Sequence, residues 1–277
     1  MLMPSVSPAP RATRSPSRRR AARALLAVAG AALGTGCASA SFNTALTGTD
    51  RPGYSFGTAT VPLGGAQLEV GYTDTRFDAT TYQTLGEGLL RIGAGPTTEL
   101  RVFSNSYALR SDGGLHTDGM EDVKIGFKQK LWTGKASAGP GSSSLALLAG
   151  TSLPTGSNGF SAEGWQPEAL LAAVVPLSAS FSLVPNFGDV YAKLGDDRGH
   201  RVLGSVAGWY TVSPKFSVFG EYGGSQVTSD AATRLQYLDG GFGIVPVPAL
   251  QLDLRVGHGL NGVKNDNYVG VGLSRRW

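Results

Sequence analysis

The chain has 277 residues, of which 16% are charged and 40 are glycine, a length that suits one large domain or two small ones. Its formal charge of +4 would suit a nucleic-acid partner, but residues 1–40 hold six arginines (Arg11, Arg14, Arg18, Arg19, Arg20 and Arg23) and no acid; without them 18 basic groups face 20 acidic ones, a net of −2. That balance offers no footprint for a phosphate backbone, and no run of 18 or more apolar residues exists to cross a membrane as a helix.

Residues 1–40 have the layout of a cleaved signal peptide. "RSPSRRRAAR" is a basic leader, "ALLAVAGAALG" is an apolar run too short to span a bilayer, and Ala38-Ser39-Ala40 is an A-x-A cleavage site. The single cysteine, Cys37, precedes that site, so the mature chain is expected to carry none and to form no disulfide. "GTGC" also has the shape of a lipoprotein box with Cys37 as the acylated residue, although Gly34 stands where a Leu-like side chain is preferred. The paired arginines of "SRRRAA" lack the bulky apolar pair that follows them in a twin-arginine signal, and the long leader leaves room for a start further downstream. Residues 41–65 are expected to stay on the periplasmic side, where they could enter a barrel mouth as a plug.

From residue 66 the recurring signal is period two. "AQLEVGY" sets Leu68, Val70 and Tyr72 against Gln67 and Glu69. "TTELRVFSN" sets Leu100 and Val102 against Glu99, Arg101 and Asn105. "EDVKIGFKQKL" sets Val123, Ile125, Phe127 and Leu131 against Asp122, Lys124, Lys128 and Lys130, and "ALQLDLRVG" sets Leu250, Leu252, Leu254 and Val256 against Gln251, Asp253 and Arg255. Side chains alternate across a strand, so each segment has one apolar and one strongly polar face.

Twelve such segments are predicted, at 66–74, 84–94, 97–107, 119–132, 144–153, 166–176, 178–190, 200–211, 214–224, 236–247, 249–258 and 266–277. Each is about long enough to cross a bilayer as a tilted strand. The linkers fall into two classes. Those after strands 2, 6, 8 and 10 are tight ("GPT", "PLS", "SPK", "PVPA"), with a longer "TGKASAGPGSSS" after strand 4. Those after odd strands are polar and mostly longer: "DTRFDATTYQ", "LRSDGGLHTDG", "PTGSNGFSAEG", "KLGDDRG", "QVTSDAATRL" and "LNGVKND". Short turns on one side, long loops on the other and an even strand count predict an all-β fold. The expected architecture is an antiparallel up-and-down transmembrane β-barrel of about 12 strands, built from 66–277 in a Gram-negative outer membrane. A soluble β-sandwich would share the alternation, with its charged faces outside and its apolar faces together.

Hydrocarbon supplies no hydrogen-bond partners, so a sheet crosses it only when closed on itself. Closure requires the last strand to stay regular. The chain ends that way: Val269, Val271, Leu273 and Trp277 share an apolar face, interrupted by Arg275, which could snorkel to headgroups. These residues are expected to be read by the barrel assembly machinery, with Trp277 in an aromatic girdle. Tyr54, Phe56, Tyr72, Trp132, Phe181, Tyr210, Phe216 and Tyr222 are further girdle candidates near predicted strand ends.

The inward face is predicted to carry Glu69, Arg91, Glu99, Arg101, Asp122, Lys124, Lys128, Lys130, Glu168, Arg201, Glu221, Asp239, Asp253 and Arg255. Such charges either pair across strands and narrow the lumen, or line a path that selects solutes. Twelve strands enclose more than side chains alone fill, and less than a general porin, so a restricted or plugged lumen is expected.

"TDRPGYSFGTATVPLGGAQLEVGYTDTR", "GLLRIGAGPTTELRV" and "GMEDVKIGFKQKL" carry a family pattern in Thr49-Asp50-Arg51-Pro52, Val61-Pro62, Gln67 and Glu69, Leu89-Leu90-Arg91 with Gly93, and Glu99-Leu100-Arg101. With Val184-Pro185-Asn186, this resembles the outer-membrane transporter family labelled for a MetA pathway of phenol degradation. The resemblance implies an outer-membrane barrel that passes small apolar or aromatic compounds, and it carries no catalytic residues.

The function expected is a channel or transporter for small solutes; the alternative is a structural or surface-recognition barrel with a sealed lumen and functional loops. The expected partners are outer-membrane lipid, the assembly machinery and a small solute. No enzyme is expected, because His116, His200 and His258 sit in no nucleophile motif. Three dispersed histidines and no mature cysteine leave no metal cluster, and no cofactor is expected.

Overall fold

A computed structural model of the chain describes residues 45–104, 106–135, 141–194, 197–261 and 266–277, with the backbone alone at 231–233. Residues 1–40, including Cys37, lie outside the described residues. The described regular structure is all strand: β1 (Ala66–Phe77), β2 (Thr80–Leu85), β3 (Gly88–Gly93), β4 (Thr98–Ser104), β5 (Tyr107–Asp112), β6 (Leu115–Met120), β7 (Val123–Thr133), β8 (Ser144–Ser152), β9 (Gln166–Pro176), β10 (Phe181–Leu194), β11 (Asp197–Ser213), β12 (Phe216–Val227), β13 (Asp230–Val247), β14 (Leu250–Asn261) and β15 (Asn267–Arg276).

Twelve of these form one closed antiparallel wall, running β1, β3, β4 and β7, then β8 to β15 in order, and back to β1. The seam is regular. β1 pairs with β15 from Gln67↔Arg276 to Arg76↔Asn267, and the Trp277 amide donates to the Ala66 carbonyl at 3.0 Å. The barrel therefore has no free edge at the join, and this is what permits a sheet to stand in hydrocarbon.

Alternation sorts the side chains as the period-two pattern requires. Leu100, Val102, Ile125, Phe127, Leu252, Val256, Val269 and Val271 are exposed on the outer surface, while Gln67, Glu69, Arg91, Glu99 and Lys128 are fully buried within. An exterior of exposed aliphatic and aromatic groups around an ionic interior inverts the usual soluble arrangement and matches a lipid-facing barrel.

The first hairpins differ from the expected loops. "DTRFDATTYQ" and "LRSDGGLHTDG" are drawn into strands. β3 pairs with the first part of β1 (Ala66↔Ile92 to Glu69↔Leu89) and β2 with the second (Tyr72↔Leu85 to Phe77↔Thr80), with β5 and β6 added beyond β2. Thus β2 and β3 are halves of one strand broken at Gly86-Glu87, where Gly86 takes φ +76°. Later hairpins also run on past their expected ends: β10 reaches Leu194 and β11 begins at Asp197, and β12 ends at Val227 with β13 starting at Asp230. Backbone pairing stays favourable above the bilayer, so polar sequence does not stop these strands. The 153–165 connection between β8 and β9 stays irregular.

Residues 45–65 lie in the interior. Their backbone and side chains bond to Gln67 and Glu69 on β1, Glu99 on β4, Ser144 on β8, Asn186 on β10, Ser205 on β11, Glu221 on β12 and Gln251 on β14. Only a segment inside the ring can reach all those walls.

Candidate functional site

The interior segment is held at two ionic centres. At the first, Asp50 accepts from Arg101 Nη1 at 2.6 Å and from Lys128 Nζ at 2.9 Å. Arg91 donates to Glu69 at 2.9 Å and to Glu99 at 3.0 Å, and Arg101 Nη1 also reaches Glu99 at 2.6 Å. Arg91 further binds the Gly48 and Ala59 carbonyls, both at 2.9 Å, and Glu69 Oε2 accepts the Asp50 and Arg51 amides. Three cations thus meet three carboxylates with side chains at most 2% exposed. Charges removed from water persist only when so paired. Burial would raise the Asp50 carboxyl, but Lys128, Arg91 and Arg101 outweigh it and hold the group below the ordinary carboxylate range.

The second centre lies across the seam. Arg51 Nη1 meets Glu87 at 2.9 Å, and Nη2 meets Asp253 at 3.4 Å and the Val271 carbonyl at 3.2 Å. The Arg51 guanidinium rests on Gly71 and Gly272, which pair with each other and face inward; a Cβ at either would overlap it. Arg255 donates to the Pro52 carbonyl and Thr73, and its guanidinium stands 4.5 Å over the Tyr54 ring and 5.6 Å from Tyr268. Tyr54 packs edge-on against Tyr237 at 5.1 Å and Tyr268 at 6.0 Å. Burial pushes its hydroxyl up to about 12, with Arg255 opposing. Glu221 accepts the Tyr54 and Ser55 amides and the Tyr237 hydroxyl, and Asp239 accepts the Tyr268 hydroxyl at 2.7 Å.

Of the predicted lumen residues, Glu69, Arg91, Glu99, Arg101 and Lys128 meet at the first centre, and Glu221, Asp239, Asp253 and Arg255 surround the second. Lys124 pairs with Glu168 at 2.7 Å on an adjoining wall. Asp122 is buried but accepts the Gly156 and Ala162 amides, so it anchors the 153–165 loop. Lys130 is half-buried beside the register shift in β7, outside both centres. Arg201 faces Val190 and Val227 across its neighbouring strands. Val269 and Val271 are exposed on the outer side of β15, Leu273 on the same strand is half-buried, and half-buried Trp277 follows the strand with the Arg275 guanidinium 5.5 Å from its ring.

Two girdle candidates are corrected. Tyr54 and Phe56 are inside the barrel, against Arg255 and Arg101, because the segment that carries them turns inward. Trp132, Tyr210 and Tyr222 are exposed on the exterior. Sequence reasoning missed Asp50, Arg51, Glu87, Tyr237 and Tyr268 as site residues. Parity would have found three of them, since Glu87 is in phase with Arg91, Tyr237 with Asp239, and Tyr268 with the inward side of β15. Asp50 and Arg51 lie before the first predicted strand, where strand parity says nothing; the Thr49-Asp50-Arg51-Pro52 pattern marks them without giving them a role.

Beside the segment is a cavity of about 90 Å³. Tyr54, Phe56, Phe103, Tyr237, Leu148 and Val190 border it, together with Arg101 and the Lys124–Glu168 pair. Among the described residues no His, Cys, Asp and Glu group is arranged to hold a metal ion. His200 bonds Asp189 and His258 bonds Asn267, both at exposed positions.

A closed 12-stranded antiparallel ring, greasy outside and ionic within, defines a β-barrel of the outer-membrane type. Residues 49–277 match the family described as "Putative MetA-pathway of phenol degradation", and the chain belongs to that family. Its fold is similar to that of an outer-membrane channel from Pseudomonas putida F1, with a TM-score of 0.62 at 16% identity, covering 83% of this chain and 100% of that one. It is also similar to the NanC porin, with a TM-score of 0.53 at 10% identity, covering 75% of this chain and 98% of that one. No curated protein matches the sequence.

Proposed function

We propose that this protein is a non-enzymatic outer-membrane channel for small apolar or aromatic solutes, with residues 45–65 as a plug that restricts the lumen. The observation that carries the reading is the segment itself: it is bonded to strands around the barrel interior, yet it leaves an aromatic-bordered cavity beside it. A lumen narrowed in this way suits small molecules rather than general diffusion. Fold similarity to an outer-membrane channel and to a porin supports passage through the barrel. In this reading residues 1–40 direct export, and Trp277 with Leu273, Val271 and Val269 is the mark read by the assembly machinery.

Reconstitution tests it. Liposomes holding the refolded protein should swell in phenols and aromatic acids faster than in sugars, and a variant lacking residues 45–59 should conduct larger currents in planar bilayers. Absence of both flux and current from the intact and the deleted protein would defeat the channel reading and favour the sealed, loop-recognition barrel.

A further inference from the structure

Phe187 on β10 is 65% exposed, more than any other large apolar side chain among the described residues. Its partner on β11 is Gly204, Gly204 pairs with Gly224 on β12, and Gly224 pairs with Gln236 on β13. On these strands Ala207, Glu221 and Asp239 are buried inside, so alternation puts Gly204, Gly224 and Gln236 on the outer face. A groove of about 230 Å³ results in the lipid-facing surface, floored by the two glycines, with Phe187 on one side and Tyr222 and Gln236 on the other. Gln236 donates to the Tyr222 hydroxyl, which ties that side together. The two glycines have different grounds. A Cβ on Gly224 would overlap the Leu235 carbonyl oxygen, whereas a Cβ on Gly204 would meet nothing nearer than 3.7 Å. Packing leaves room for a side chain at Gly204, and its absence keeps the groove open.

The groove lies where the exterior changes character. On one side of it Val206, Tyr222 and Leu238 are exposed and apolar. On the other, toward the long loops, Asp189 and His200 face outward and bond at 2.7 Å. Such a polar pair is expensive in hydrocarbon, so this level marks the boundary between acyl chains and headgroups. Arg234, which is exposed, is the one charged residue among the described residues that border the groove. We propose that the groove binds an anionic lipid of the outer leaflet, with an acyl chain over Gly204 and Gly224 against Phe187 and the phosphate on Arg234. Its dimensions favour a lipid over a protein partner. Gly204 and Gly224 sit on neighbouring strands, ~4.8 Å apart, a floor on the scale of single hydrocarbon chains and short of the ~10–12 Å width of a helix with its side chains. The Asp189 carboxylate is engaged by His200 on the β10 flank, away from Arg234 on β13. This site is independent of what passes through the lumen.

Native mass spectrometry of the refolded full-length protein in detergent, titrated with phosphatidic acid and with diacylglycerol of identical chains, tests it. The first phosphatidic acid should bind at least fivefold tighter than the first diacylglycerol; equal affinities overturn the proposal on the unmodified protein alone. Arg234→Gln should remove that preference, and a preference that survives it overturns the assignment to this groove. Gly204→Leu fills the floor and should weaken both lipids at least fivefold. Val102→Leu adds bulk to the lipid-facing wall at β4, across the barrel, and should change neither. Equal effects of the two leucine variants would mean lipid held everywhere around the wall and would overturn the site. A lipid-free dimer that Gly204→Leu dissociates would put a second copy of the chain in the groove and overturn it as well.

Discussion

Asp50 shows how one carboxylate ties a segment to its container. Its two oxygens receive Arg101 and Lys128, and Arg91 completes the ring of cations. Because its folded value is depressed, its stabilising contribution is fully present above the ordinary carboxylate range and is lost only as pH falls through the lower folded value. Protection of residues 45–65 from protease, attributable to this tether, should therefore hold from pH 8 to pH 4. Asp50→Asn keeps the shape but leaves three buried cations facing two carboxylates, Glu69 and Glu99. Breaking such a pair typically costs about 3–5 kcal/mol, so the variant should expose the segment to protease at neutral pH. Unchanged protection in Asp50→Asn would show that the backbone bonds to Glu69, Glu99 and Glu221 suffice.

At the level of elements, β1 and β15 meet through paired glycines because Arg51 occupies the space their side chains would fill. Gly272→Val should leave the strand pairing intact but expel Arg51 from Glu87 and Asp253. The expected result is a folded, heat-modifiable barrel with raised conductance; conductance equal to that of the unmodified protein would mean that Arg51 does not hold the segment. Strand legibility followed the surroundings. β9 was readable to its ends, and β8 and β15 to within one residue at each, because one face meets lipid and the other the packed interior, so sequence alternates with environment. β2, β5 and β6 ("TTYQTL", "YALRSD", "LHTDGM") hide as loops because they extend past the wall, where neither face is reserved for hydrocarbon. Parity placed nine of the charged side chains at the two centres. It could not reveal their partners, since Asp50 and Arg51 come before the first wall strand, where parity does not apply.

For the whole molecule, closure is the condition on which everything else depends. β15 supplies both the last wall strand and the join to β1, and its final residue still donates to Ala66. Truncation after Asp266 should abolish the heat-modifiable form on gels, because β1 and β14 would be left as two open edges in hydrocarbon. Removing Trp277 alone should slow assembly in cells and change in-vitro folding less. Assembly at the normal rate without Trp277 would discard it as the mark read by the machinery.

The interior segment has a further geometric property. Near its start the Leu46 amide binds the Pro248 carbonyl in the short turn between β13 and β14, and near its finish Val61 and Pro62 lie against Gly93 at the foot of β3. Both places are on the same rim, so the segment dips in and returns without passing through. No knot stands in the way of withdrawal. A pull on its amino-terminal side from that rim would unzip Thr47, then Asp50, then Tyr54 in order, and slackening would let the same stretch fall back without unmaking a single wall strand.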